Sequence, residues 1–145
     1  MDKIDEIVVV LVTSVDATWL KEKAREVLLL ATSKENCKRL IEADGLIGGL
    51  IRVMGMDGEG FREAREQAVR AIGNIAYGGD DEVKKGLFKH EGLIAGLVEI
   101  LGQKGGEYQN AREDAVEALT DIAGGDDYKV KAGLFHFPGL MPRIE

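Results

Sequence analysis

Two Gly-Gly-Asp-Asp quartets carry the most suggestive residue types in the chain, Gly78-Gly79-Asp80-Asp81 and Gly124-Gly125-Asp126-Asp127. Glycines let a backbone turn tightly, and paired carboxylates are hard-oxygen ligands or acid–base groups. Such a quartet has three chemical readings: a metal loop, a phosphate cradle or a catalytic turn. It also has a structural one, since Gly ends helices and Asp begins them. The register of the surrounding chain separates these. Ala76 and Ala123 are 47 residues apart, as are Phe88 and Phe135, but the quartets are only 46 apart. A ligand set needs a fixed position against its helices, whereas a helix break tolerates a slide of one residue. The quartets are therefore read as joints between helices, with metal- or nucleotide-dependent activity at these Gly-Asp loops kept as the unfavoured alternative.

The remaining reactive residues are sparse. Cys37 is the single cysteine, which excludes an internal disulfide and a thiolate cluster. Lysine and arginine flank it in KENCKRLIE and are of the sign that lowers a thiol pKa, but no His base is placed for it. His90 and His136 have no second His or Cys at ligand spacing, so no metal site is expected. Each falls near the end of a short helix, where a cation suits the dipole. GMDGEG (55–60) follows a helix rather than a strand and lacks the alternating acids of a calcium loop. With its partner GQKGGE (102–107) it is read as a linker between repeats. No catalytic residue, cofactor or metal is expected, and the chain is not read as an enzyme.

A net charge of −7 opposes general binding to nucleic acid or to anionic lipid, both of which are held by surplus Lys and Arg, and it favours basic partners. IVVVLV (7–12) is too short to span a membrane; it is read as a buried helix, with a strand as the alternative for so short a run. One cysteine and no basic leader fit an intracellular setting.

The elements that position these residues repeat. Sliding the chain by 47 places residues 64–98 on 111–145, and 17 of those 35 pairs are identical with no gap. Further back the offset is 45, so that Val27 meets Ile72 and Ala31 meets Ala76. In one unit LIAGLVEIL (93–101), residues 105–123 and DYKVKAGLF (127–135) each carry a one-sided apolar stripe at helical spacing. Such helices bury their stripes by stacking on neighbouring units. The units are expected at approximately 1–45, 46–92 and 93–139, with 140–145 starting another. Asp16 is the expected N-cap of the first long helix, and Trp19, Phe61 and Tyr108 are read as packing residues.

EQAVRAIGNIA (66–76), followed by a short helix and EGLIAGLVEIL (91–101), resembles the armadillo-repeat family, with the related HEAT-type repeat as second choice. Pro142 in GLMPRIE suits the first turn of a second helix. The resemblance covers nearly the whole chain and implies an all-α, right-handed α-solenoid of about three three-helix repeats. It also implies a groove lined by the third helices, where an Asn grips an extended peptide backbone and a Trp one turn earlier forms a pocket. Asn74 matches that Asn, while Arg70 stands at the Trp position. The equivalent pairs are Glu117 with Asp121, and Arg25 with Leu29. The groove candidates are thus Arg25, Arg70, Asn74, Glu117 and Asp121, and the expected partner is a protein or an extended, basic peptide. The chain would act as an interaction module or scaffold; the alternative is a structural subunit packed by its edges and ends. Neither terminus carries a clear polar cap, so a piece of a longer solenoid, or end-to-end self-association, is also expected.

Overall fold

The computed structural model describes residues 2–126 and 128–135. Among the described residues nine α-helices run in order as α1 (Lys3–Thr13), α2 (Ala17–Leu30), α3 (Lys34–Glu42), α4 (Leu46–Met54), α5 (Arg62–Gly78), α6 (Asp81–Lys89), α7 (Leu93–Gly102), α8 (Gln109–Ala123) and α9 (Tyr128–Phe135). Among the described residues there is no strand. Pro142 and His136 lie outside the described residues.

Local chemistry sets the helix starts. Asp2, Asp16, Ser33 and Asp80 each cap a helix by accepting a hydrogen bond from a backbone N–H in its first turn, which satisfies one of the donors a helix leaves unpaired. The expected cap at Asp16 is among them, at 3.0 Å from the Trp19 nitrogen. The glycine-rich linkers hold a 3₁₀ turn before each long helix, Glu59–Phe61 before α5 and Gly106–Tyr108 before α8. The long helix expected from residue 105 therefore starts at Gln109. These linkers join α4 to α5 and α7 to α8, so they lie inside the expected units rather than between them.

Packing follows the sequence period. Helices α2, α5 and α8 lie side by side, as do α1, α4 and α7, and each long helix packs against the helix before it. Helices α3 and α6 pack against one another and against α5 and α8 respectively. One continuous core runs through the stack, from Ile7 and Leu11 through Leu50, Ile72 and Ile75 to Leu97, Leu119 and Ile122. The protein is an all-α solenoid.

Two arginines hold the linkers. Arg65 is 1 % exposed, and its Nη1 donates to the Met56 and Gly58 carbonyls at 2.8 and 3.0 Å. Arg112, one period on, donates to the Gln103 and Gly105 carbonyls at 2.7 and 3.1 Å. Gly58 and Gly105 sit at φ 103° and 105°, a conformation an L side chain opposes. The Arg65 guanidinium also lies 4.2 Å from the centre of the Tyr108 ring, a cation–π distance, and the Tyr108 hydroxyl donates to Asp57.

Two readings change. IVVVLV is helical, but α1 buries one face only: Ile4, Ile7, Val10 and Leu11 are inside, while Val9, Val12 and, beyond the helix, Val15 are exposed. Trp19 was expected to pack and is 56 % exposed. The inward stripe of α2 is Leu20, Ala24 and Val27, and Trp19 stands about 100° from Leu20 around the helix. Phe61 and Tyr108 do pack: Phe61 is half-buried against the core and Tyr108 is buried.

Candidate functional site

The Gly-Gly-Asp-Asp quartets are joints. Gly78 ends α5, Gly79 follows as its C-cap, and Asp80 caps α6 by accepting from the Val83 nitrogen at 3.0 Å. Helix α8 ends at Ala123, with Gly124 as its C-cap. The joints touch: the Asp126 N–H donates to Asp81 Oδ1 at 3.2 Å, and Gly125 sits so close that a Cβ there would meet that same oxygen at 2.8 Å. Asp127, which the 47-residue period aligns with Asp80, lies outside the described residues. Among the described residues no group of three or more His, Cys, Asp or Glu could hold a metal ion.

Cys37 is buried, and burial pushes its thiol up despite the opposing charge of Lys84. The expected direction was the reverse. The Lys and Arg beside Cys37 in sequence, Lys38 and Arg39, are exposed, and the sulfur faces the Asn74 carbonyl and Gly78 in the interior. His90 is the C-cap of α6.

The groove candidates divide. Arg70, Asn74, Glu117 and Asp121 surround one recess between α5 and α8, of about 260 Å³, together with Gly73, Tyr77 and Asp114. Arg25 stands apart, exposed on α2. The recess exists because the facing positions are small: Gly73 faces Ala118 with room for no more than a Cβ, which would meet Ala118 at 3.7 Å, and the longer side chains rim the gap. Asp114 and Tyr77 were missed in the sequence. Asp114 is aligned with Gln67, and Tyr77 precedes the Gly78-Gly79 pair; neither resembles a binding motif.

The electrostatics are those of a partly dried acidic pocket. Arg70 Nη2 lies 3.4 Å from Asp114 Oδ2. Burial nonetheless raises the Asp114 pKa, with Arg70 opposing and Glu117 and Glu66 adding to the rise. Burial also raises Asp121; Lys84 opposes it and Glu117 adds to it. Lys84 itself donates to the Ala76 carbonyl. Asn74 Nδ2 is aimed at the Leu28 carbonyl of α2 at 3.5 Å, which leaves its second N–H and its Oδ1 for a ligand backbone. Tyr77 is 78 % exposed at the rim. A cationic side chain entering here would relieve Glu117 and Asp121 and lay its stem on the Tyr77 ring.

No family model and no curated protein matches the chain. Solved structures do. The designed armadillo repeat protein YIII(Dq)4CqI matches with a TM-score of 0.80 and 28 % identity, over 97 % of this chain and 55 % of that one. The designed armadillo repeat protein YIII(Dq.V1)4CPAF, in complex with the peptide (KR)4, matches with a TM-score of 0.77 and 28 % identity, over 92 % of this chain and 52 % of that one. An engineered protein from the Northeast Structural Genomics Consortium matches with a TM-score of 0.76 and 28 % identity, over 90 % of this chain and 50 % of that one. The chain spans about half the length of these structures. It has an armadillo-like helical-repeat fold.

No helix among the described residues is long and apolar enough to cross a membrane.

Proposed function

We propose that this chain is a non-enzymatic binding module whose α2–α5–α8 face holds an extended peptide or protein segment, with a basic side chain seated in the recess between α5 and α8. The observation that carries the reading is the recess itself: Glu117, Asp121 and half-buried Asp114 converge beside one engaged arginine, and burial disfavours the charged forms of Asp114 and Asp121. The likeness to a designed armadillo protein in complex with (KR)4 supports a basic peptide as the ligand class. Rigid helices preset the surface, so little ordering entropy is lost on binding. The module works without cofactor, metal or nucleic acid, in an intracellular setting, and its units are those expected at 1–45, 46–92 and 93–139.

The test is fluorescence anisotropy with a labelled alternating Lys-Arg peptide against the chain and its Glu117→Lys/Asp121→Lys variant. We expect the variant to bind at least about tenfold more weakly with an unchanged melting temperature. Equal affinities remove the reading.

A second reading, a structural subunit packed by its ends, is favoured by the exposed Val9, Val12, Val15 and Trp19 on the first two helices and the segment that joins them. It also covers end-to-end self-association. Cross-linking in a native extract separates the two readings by the occupied face.

A further inference from the structure

Arg25, Arg70 and Glu117 occupy the same turn of α2, α5 and α8, by the offsets of 45 and 47 that relate the three helices. The structure keeps that level to within one residue where Leu28, the neighbour of Leu29, presents its carbonyl to the Asn74 amide at 3.5 Å; the long Lys21 side chain reaches three residues out of register to Glu63. The row changes sign along its length. At one end Arg25 is exposed and makes no ion pair or hydrogen bond among the described residues. In the middle Arg70 is neutralised by Asp114. At the other end Glu117 is exposed, with Asp121 one turn on. Glu22, one turn before Arg25, lies level with Gln67 and Asp114 rather than with this row. One turn beyond Arg25 on α2, Leu29 is 62 % exposed, level with Asn74.

A purely basic ligand would meet Arg25 with the wrong sign. We infer that the face takes an extended segment of split charge, with an Asp or Glu over Arg25 on α2 and a Lys or Arg in the recess rimmed by Glu117 and Asp121. Packed helices lie about 8–10 Å apart, so α2 to α8 spans roughly 16–20 Å, and an extended chain covers that in about five to six residues at 3.3–3.6 Å each. This inference rests on the peptide-binding reading above and adds the ligand's second charge and its spacing.

The experiment uses three labelled peptides of about ten residues on the whole chain. Two carry one Glu and one Arg separated by about five neutral residues, in the two chain directions; the third carries Arg at both places. One split-charge peptide is expected to bind about threefold to fivefold more tightly than the double-Arg peptide, the scale of one exposed ion pair. Arg25→Glu, at an exposed helix position, is expected to invert that order with an unchanged circular dichroism spectrum. If the double-Arg peptide binds as tightly as either split-charge peptide and Arg25→Glu leaves the ratios alone, the split-charge inference is wrong while peptide binding stands. If no peptide binds, or Glu117→Lys changes no affinity, the peptide-binding reading fails and takes the inference with it.

Discussion

Arg70 reaches from α5 to α8 and meets Asp114 at 3.4 Å, in the row where a peptide-gripping armadillo repeat is expected to carry a tryptophan. The pair replaces an apolar pocket by a charged one. Arg70 leaves Asp114 raised rather than lowered, because burial outweighs the attraction.

Asp114 therefore opposes folding at neutral pH. A carboxyl with a raised folded pKa contributes stability that is full below its unfolded pKa and lost as pH rises through the folded value. Asp114→Asn should equal or exceed the parent in stability at neutral pH, and that advantage should shrink on acidification through the carboxylate range. Urea unfolding at several pH values reads it; an advantage that grows on acidification contradicts the assignment.

Arg65 should be the most sensitive polar residue of the described chain. Truncation to Ala leaves the Met56 and Gly58 carbonyls unpaired and removes the contact with Tyr108. The expected cost is about 3 kcal/mol, read as a shifted urea midpoint. Arg112→Ala should cost less, because its site is only half-buried. Equal costs would show that burial does not set the scale.

Gly58→Ala and Gly105→Ala should each cost about 1 kcal/mol or more, since both residues hold a positive φ while the space around them is open. Thermal melts of the single variants check this. A neutral result at both positions would mean that the linkers relax without strain.

Asp80→Ala should cost about 1 kcal/mol through loss of the α6 cap. Neither the parent nor the variant should be stabilised by Mg²⁺ or Ca²⁺ in a thermal-shift assay. A parent-only shift with either ion would restore the metal reading of the quartets.

The fold was legible because it is written twice: 17 matched residues at one offset mark helices whose stripes need neighbours. The alignment also brought Arg70, Asn74, Glu117 and Asp121 into the same two rows. It could not show that α5 and α8 close over Gly73, so Asp114 and Tyr77 went unnoticed. The phase of a helix is harder to read in its first turn than its existence, which is why Trp19 falls outside the stripe of α2. Arg65 belongs to the repeated Ala-Arg-Glu motif, yet only the folded linker supplies the carbonyls that make its burial tolerable. Cys37 was misjudged because sequence neighbours on a helix point to different faces.

The central claim is that the recess between α5 and α8 receives a cationic side chain of an extended ligand. The most direct measurement is an amide NMR titration of the whole chain with an alternating Lys-Arg peptide. The largest shifts should fall on Arg70, Asn74, Tyr77, Glu117 and Asp121, and they should weaken as salt is added. Shifts confined to Val9, Val12, Val15 and Trp19, or no saturable shift at all, would contradict it.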